Sequence, residues 1–210
     1  NKVEYFNRDF SKFPFPPNSY SQESARFESR LPTAARLVVE RKLNEYFGAV
    51  DAKVGIITHG TTFNTTMRLL GLMGLADEFG EMDARLQLLQ LNVIHPLNDD
   101  QIAGFVDGKT HVLIVEEGQP DLLEMQIRTL MQRRGINTKF YGHDIVPKYG
   151  ELIPERLAQP LARFIAEALP SAGFDPVSTI AAVLSRKSQA VGMFPVPVPP
   201  RIPTFCTGCP

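Results

Sequence analysis

Two cysteines, Cys206 and Cys209, are the only thiols in the 210-residue sequence, and they are separated by Thr207 and Gly208 in the string FCTGCP. Thiolates at this spacing clasp one soft ion or one edge of a cluster, and iron and zinc are the metals that suit them. A four-thiolate site needs a further pair, which this sequence does not contain. The same spacing also serves a redox dithiol, but a thioredoxin-type pair opens a helix inside its own fold. Here the pair follows the proline-rich run GMFPVPVPPRIP.

A second candidate is the turn Thr58-His59-Gly60-Thr61-Thr62. It follows a continuous apolar run and precedes a helical pattern, the place where open α/β sheets receive ligands, and backbone N–H groups there can hold a phosphate or carboxylate. Thr58, His59, Gly60 and Thr61 are therefore the candidate anion-binding residues. The turn lacks both the G-x-G-x-x-G fingerprint and a lysine-bearing phosphate loop. A third candidate, Glu116-Glu117-Gly118, ends another apolar run at the same sheet edge. Adjacent strand residues point to opposite faces, so the two carboxylates are expected to support structure or an interface rather than to chelate one ion. His59, His95, His111 and His143 show no metal-ligand spacing, although His59, His95 and His143 fall at predicted strand ends. With no G-x-S-x-G elbow and no cysteine inside the α/β region, catalysis by this chain alone is not expected.

These residues need a scaffold, and the apolar periodicity predicts one. Residues 1–22 mix Phe, Pro, Ser and Asn without a period and read as an irregular linker. Leu31, Ala35, Val38, Leu43 and Phe47 predict an amphipathic helix over about 24–47, leading into the domain as residues 23–48. Short apolar runs at 53–58 and 111–116, with weaker ones at 87–94 and 137–142, predict strands. Between and after them, Phe63, Met67 and Leu70, a segment near 98–107, Leu123, Ile127 and Leu130 ending at Gly135, and 154–168 opened by Pro154 predict helices. Strands alternating with helices indicate an α/β domain over 49–170: a three-layer, mostly parallel open sheet of four to five strands, of which four show in the pattern. Residues 171–205 read as an extended proline-rich connector, and 206–210 as the start of a further domain.

Composition narrows the function classes. Charged residues make up 21% of the chain and the formal net charge is -1, so there is no broad basic field for nucleic acid. No apolar run approaches membrane-spanning length, and the opening NKVEYFNRDFSKFP is too polar for a secretory signal; the expected location is cytoplasmic. A first residue other than Met, and a last one just past a Cys-x-x-Cys motif, suggest a piece of a longer polypeptide.

Five strings, PNSYSQESARFESRLPTAARLVVERKLN, KVGIITHGTTFNTTMRLLGLMGL, VLIVEEGQPDLLEMQI, YGELIP and RIPTFCTGCP, together resemble the long, fused indolepyruvate ferredoxin oxidoreductases, thiamine diphosphate-dependent enzymes of the 2-oxoacid:ferredoxin oxidoreductase group. The resemblance implies a transketolase C-terminal-like domain at 49–170, followed from residue 206 by the start of a pyrophosphate-binding thiamine domain. It implies that Cys206 and Cys209 are two of four ligands to a 4Fe-4S cluster. The turn at 58–61 is expected to receive an anion or CoA from its place at a helix N-terminus and not from the resemblance, since His59 stands where relatives commonly carry a small hydroxyl residue. The resemblance also implies a parent enzyme holding thiamine diphosphate with Mg, oxidising an aryl 2-oxoacid with CoA and passing electrons to ferredoxin. That parent is expected to be a homodimer, and this chain is expected to dock and position its neighbours without turnover of its own. The rival expectation is a noncatalytic ligand-sensing or docking domain whose cysteine pair binds zinc.

Overall fold

The computed structural model describes residues 7–13, 15–77, 79–118, 120–170, 173 and 175–193. In chain order the elements are α1 (Ser19–Ala25), a π-helical turn (Arg26–Arg30), α2 (Leu31–Glu40), β1 (Glu45–Gly48), β2 (Val54–His59), α3 (Thr62–Leu72), β3 (Leu86–Leu91), α4 (Asp99–Val106), β4 (His111–Val115), α5 (Leu122–Arg134), β5 (Lys139–Tyr141), α6 (Pro154–Ala168) and α7 (Pro176–Gly192). They form the expected α/β architecture, with one five-stranded sheet in the order β1-β3-β2-β4-β5.

β2 lies at the centre, parallel to β3 on one side and β4 on the other, with Ile57 opposite both Leu89 and Ile114. β5 adds a parallel strand beside β4. Because side chains alternate across a strand, β2 contributes to two cores. Val54 and Ile56, with Leu88 and Leu113, pack against α3, α6 and α7, where Leu70, Leu161, Phe164 and Ile180 are buried. Ile57, with Leu89 and Ile114, packs against Ile102 and Phe105 of α4 and Ile127 of α5. This double cover explains why VGII and VLIV are continuous apolar runs instead of alternating ones.

A polar pair, Lys109 and Gln87, is buried beside the second core. Lys109 is 8% exposed, and its Nζ donates to the Ala52 carbonyl and to Gln87 Oε1, both at 2.9 Å, while lying 4.9 Å from the centre of the Phe105 ring. Burial, reinforced by the like charge of Lys53, holds its pKa below the ordinary lysine range. Gly55 makes the space: a Cβ there would sit 2.7 Å from Lys109 Cδ.

Three expectations need correction. The single helix at 24–47 is instead an interrupted one, shifted toward the N-terminus, that starts at Ser19 and stops at Glu40, so the irregular linker ends earlier than residue 22. Lys42 turns the chain at φ 50°, and Glu45–Gly48 then pair antiparallel with β3, Tyr46 opposite Leu89. This strand is the one the pattern does not show. Leu43 and Phe47 keep helical spacing, but the pairing energy of the sheet edge overrides it for the β-favouring pair Tyr46-Phe47. Finally, residues 176–192 of the expected extended connector are helical. Asp175 caps this helix, accepting from Val177 N at 3.0 Å and from the Ser178 hydroxyl, and Ile180, Val177 and Leu184 reach the first core. An Asp before a Pro at the first helical position is a start signal that the later prolines masked. The cysteine pair and the last prolines lie outside the described residues.

Ile56 is fully buried at the middle of β2. Ile56→Ala is expected to lower unfolding free energy by about 2–5 kcal/mol, since it leaves a cavity between packed layers, and urea denaturation followed by circular dichroism measures this.

Candidate functional site

All four parallel strands end on one side of the sheet, and the turns that follow β2, β4 and β5 meet there. β2 passes into α3 through Gly60, whose φ of 53° lies in the left-handed region. Thr62 fastens this turn: its Oγ1 lies 3.1 Å from His59 N, 2.7 Å from the His59 carbonyl and 3.2 Å from the Val115 carbonyl of β4. A hydroxyl that accepts one N–H and faces two carbonyls locks the ends of two strands together. The N–H groups of Gly60 and Thr61 take no acceptor from the described chain, and Gly60 opens onto free space. They are the groups able to hold an anion at the start of α3.

The other two members of the predicted set differ. Thr58 is fully buried and its hydroxyl is 2.7 Å from Gln90 Oε1 on β3, so it braces the sheet beneath the turn and does not face a ligand. His59 is half-buried, and its Nε2 lies 3.5 Å from the backbone N of Glu117. Burial pulls its pKa below the ordinary histidine range, outweighing the opposite pull of Glu116 and Glu117.

The two glutamates diverge as strand alternation requires. Glu116 is buried and caps α5, its Oε1 accepting from Leu123 N at 3.0 Å and its Oε2 from Glu124 N at 2.9 Å. This satisfies two first-turn donors of that helix and places a negative charge at its positive end. Glu117 turns the other way and accepts from Leu152 N at 2.6 Å, tying the loop before α6 to the end of β4. Both carboxylates thus have structural duties, as their adjacency implied.

Sequence reasoning did not find a further cluster on this edge. Glu124, on the first turn of α5, is buried and accepts from Arg128 Nε at 2.8 Å and from His143 N at 2.8 Å. Its Oε2 also lies 3.1 Å from His143 Nδ1. Gly142 allows this approach, because a Cβ there would fall 2.2 Å from the Glu124 carboxylate. The spacing of Glu124 and Arg128, i and i+4, was the only local signal; the link to His143 comes from tertiary packing. No histidine among the described residues bonds to another, and neither cysteine is among them.

The architecture defines an open-sheet α/β domain whose turns after β2, β4 and β5 meet at the carboxyl ends of the strands. More particularly, the chain belongs to the indolepyruvate oxidoreductase domain family, which it matches over residues 44–188, from the start of β1 into α7. It is similar to the indolepyruvate oxidoreductase subunit IorA of Thermococcus kodakarensis, with 28% identity covering all of this chain and 30% of that subunit. It is also similar to IorA of Pyrococcus abyssi, with 29% identity over 78% of this chain and 22% of that subunit. The chain therefore spans less than a third of the length of these relatives. Among solved structures, a 2-oxoglutarate:ferredoxin oxidoreductase from Magnetococcus marinus with 2-oxoglutarate, coenzyme A and succinyl-CoA bound aligns at a TM-score of 0.47 and 19% identity, over 72% of this chain and 24% of that one.

Two outcomes follow for this edge. Glu116→Ala leaves two first-turn N–H groups without an acceptor and is expected to cost about 2–4 kcal/mol in urea unfolding. For His59 the unfolded imidazole, with a pKa near 6.5, takes up a proton before the folded one does, so its contribution is complete above that pH and falls away below it. Wild type is expected to lose more stability between about pH 7 and pH 5 than His59→Gln does, measured by thermal unfolding at each pH.

Proposed function

We propose that this chain is the central domain of a thiamine diphosphate-dependent 2-oxoacid:ferredoxin oxidoreductase whose substrate is indolepyruvate or another aryl pyruvate. The observation that carries the reading is the family match across residues 44–188, joined by the IorA relatives. In the proposed reaction the carboxylate leaves the 2-oxoacid as carbon dioxide, the remaining acyl group forms a thioester with CoA, and two electrons pass one at a time to ferredoxin. Thiamine diphosphate with Mg would supply the carbanion-stabilising sink and a 4Fe-4S cluster the one-electron exit. The described residues contain no thiolate, so none of them fits the cluster. The proposal places it on Cys206 and Cys209 with two ligands from elsewhere in the parent, and the activating and diphosphate-binding groups in neighbouring domains.

Within that parent, the role proposed for this chain is to position other domains of the same polypeptide and to offer the N–H groups of Gly60 and Thr61 to an anionic group of CoA or the substrate. His59 shapes that turn, and Thr58 supports it from below. A homodimeric, cytoplasmic parent is part of the same proposal.

The test is anaerobic viologen reduction by the longer polypeptide, supplied with thiamine diphosphate, magnesium, CoA and a panel of 2-oxoacids. Reduction that depends on an aryl pyruvate and disappears in Cys206→Ser is the expected result, with none from the 210-residue chain alone. An iron-loaded polypeptide that reduces nothing, or one that holds zinc in place of iron, would move the reading to a noncatalytic docking or sensing domain.

A further inference from the structure

The first helical stretch is fastened to the domain at one end only. Val38 is the one buried residue of α2, and the Asn98 side-chain amide, 3.2 Å from the Ala35 carbonyl, ties that half of the stretch to the start of α4. α1 and the π-helical turn bury nothing. Among the described residues, the hydrogen bonds of residues 7–30 close within that segment and its helical ladder, as Gln22 Nε2 does on the Ser11 carbonyl and the Arg30 guanidinium on the Gln22 carbonyl.

Yet this end carries large apolar side chains. Tyr20 is 81% exposed and Phe27 58% exposed, and Phe10 and Phe15 are exposed before them in the chain. Tyr20, Phe27 and Val38 would share one stripe of an uninterrupted α-helix. The π-helical turn, in which Leu31 N donates to the Arg26 carbonyl, takes up one extra residue and swings the two aromatics off that stripe by about 100°. They cannot follow Val38 onto this domain. α2 continues the surface, since with β1 and the start of α4 it walls a groove of about 1110 Å³ in which Val39 and Tyr46 are half-exposed. β1 is an edge strand, and among the described residues no strand pairs on its far side. Exposed aromatics clustered beside an open sheet edge mark a surface that a partner covers.

We propose that the arm over residues 19–30 and the groove beside β1 form one docking surface for another domain of the same longer polypeptide, seated on Tyr20 and Phe27. The family match starts at residue 44, after the arm, whereas the similarity to Thermococcus kodakarensis IorA runs over the whole chain, which spans 30% of that subunit. The arm therefore lies outside the matched domain but inside the IorA-like sequence, and most of such a polypeptide remains to cover it. A tethered domain meets the arm at roughly millimolar effective concentration, which favours it over a second copy. The inference rests on the reading of this chain as part of a longer polypeptide and not on the reaction proposed for that polypeptide.

The experiment compares amide hydrogen exchange in the longer polypeptide and in the 210-residue chain at equal concentration. Amides of residues 19–30 are expected to exchange about 10-fold more slowly in the longer polypeptide, and Tyr20→Ser with Phe27→Ser is expected to abolish that difference while the amides of β2 stay protected. Both side chains are exposed, so the fold of this domain does not depend on them. Equal exchange of the arm in the two proteins, or slowing that survives the double substitution, would overturn the proposal. Slowing already present in the 210-residue chain and growing with its concentration would overturn it too, by making a second copy the occupant. A polypeptide that reduces no viologen can still shield the arm, so the oxidoreductase reading and this one fail separately.

Discussion

The constraint on which the rest of the structure depends is that β2 is covered on both faces and paired along both edges. A strand in that position leaves few backbone groups to water, so its neighbours must run beside it, as β3 does over its whole length and β4 over all but His59. Parallel neighbours in turn need crossovers, and helices supply them on both faces, α3 on one and α4 and α5 on the other. The two cores are thus halves of one requirement. They also force the carboxyl ends of the strands to one side, where the turns have little choice but to meet.

That shared edge is held by side chains acting on backbone. Thr62 couples the ends of β2 and β4, Glu116 takes the first-turn donors of α5, and Glu117 holds the loop before α6. Thr62 and Glu117 span elements distant in sequence, Glu116 acts across the adjoining loop, and each meets a backbone group. The edge is therefore firm beneath, while the N–H groups of Gly60 and Thr61 take no acceptor from the described residues. An anion held there belongs to the function proposed above, while the chemistry proposed for the parent needs groups that these residues do not supply.

Much of this was legible in the sequence because the central strands and α3 to α6 each announce themselves locally. The continuous apolar runs of β2 and β4, Gly135 after α5 and Pro154 before α6 speak for their own elements whatever surrounds them. β1 was not legible, since Leu43 and Phe47 satisfy helical spacing and only the presence of β3 decides for a strand. α7 was obscured by the prolines that follow it, although Asp175-Pro176 and the spacing of Val177, Ile180 and Leu184 were present. At the candidate site, the placement of His59 and the divergence of Glu116 and Glu117 followed from strand geometry. The Glu124–His143 contact and the burial of Lys109 did not, because each depends on residues that meet only after the layers close.

Gly55 and Lys109 are best regarded as one unit. The glycine leaves a hollow in β2, and the lysine stem fills it while its head finds the Ala52 carbonyl and Gln87. A larger residue at 55 needs a shorter one at 109 and some yielding of Phe105 and Val112, each 3.1 Å from a Cβ there, and a shorter one at 109 leaves a void that a larger residue at 55 would fill in part. Two substitutions that are each harmful can therefore be neutral together. The mutational tolerance of either position is set by the occupant of the other, and the route between two acceptable pairs passes through an unfavourable single change.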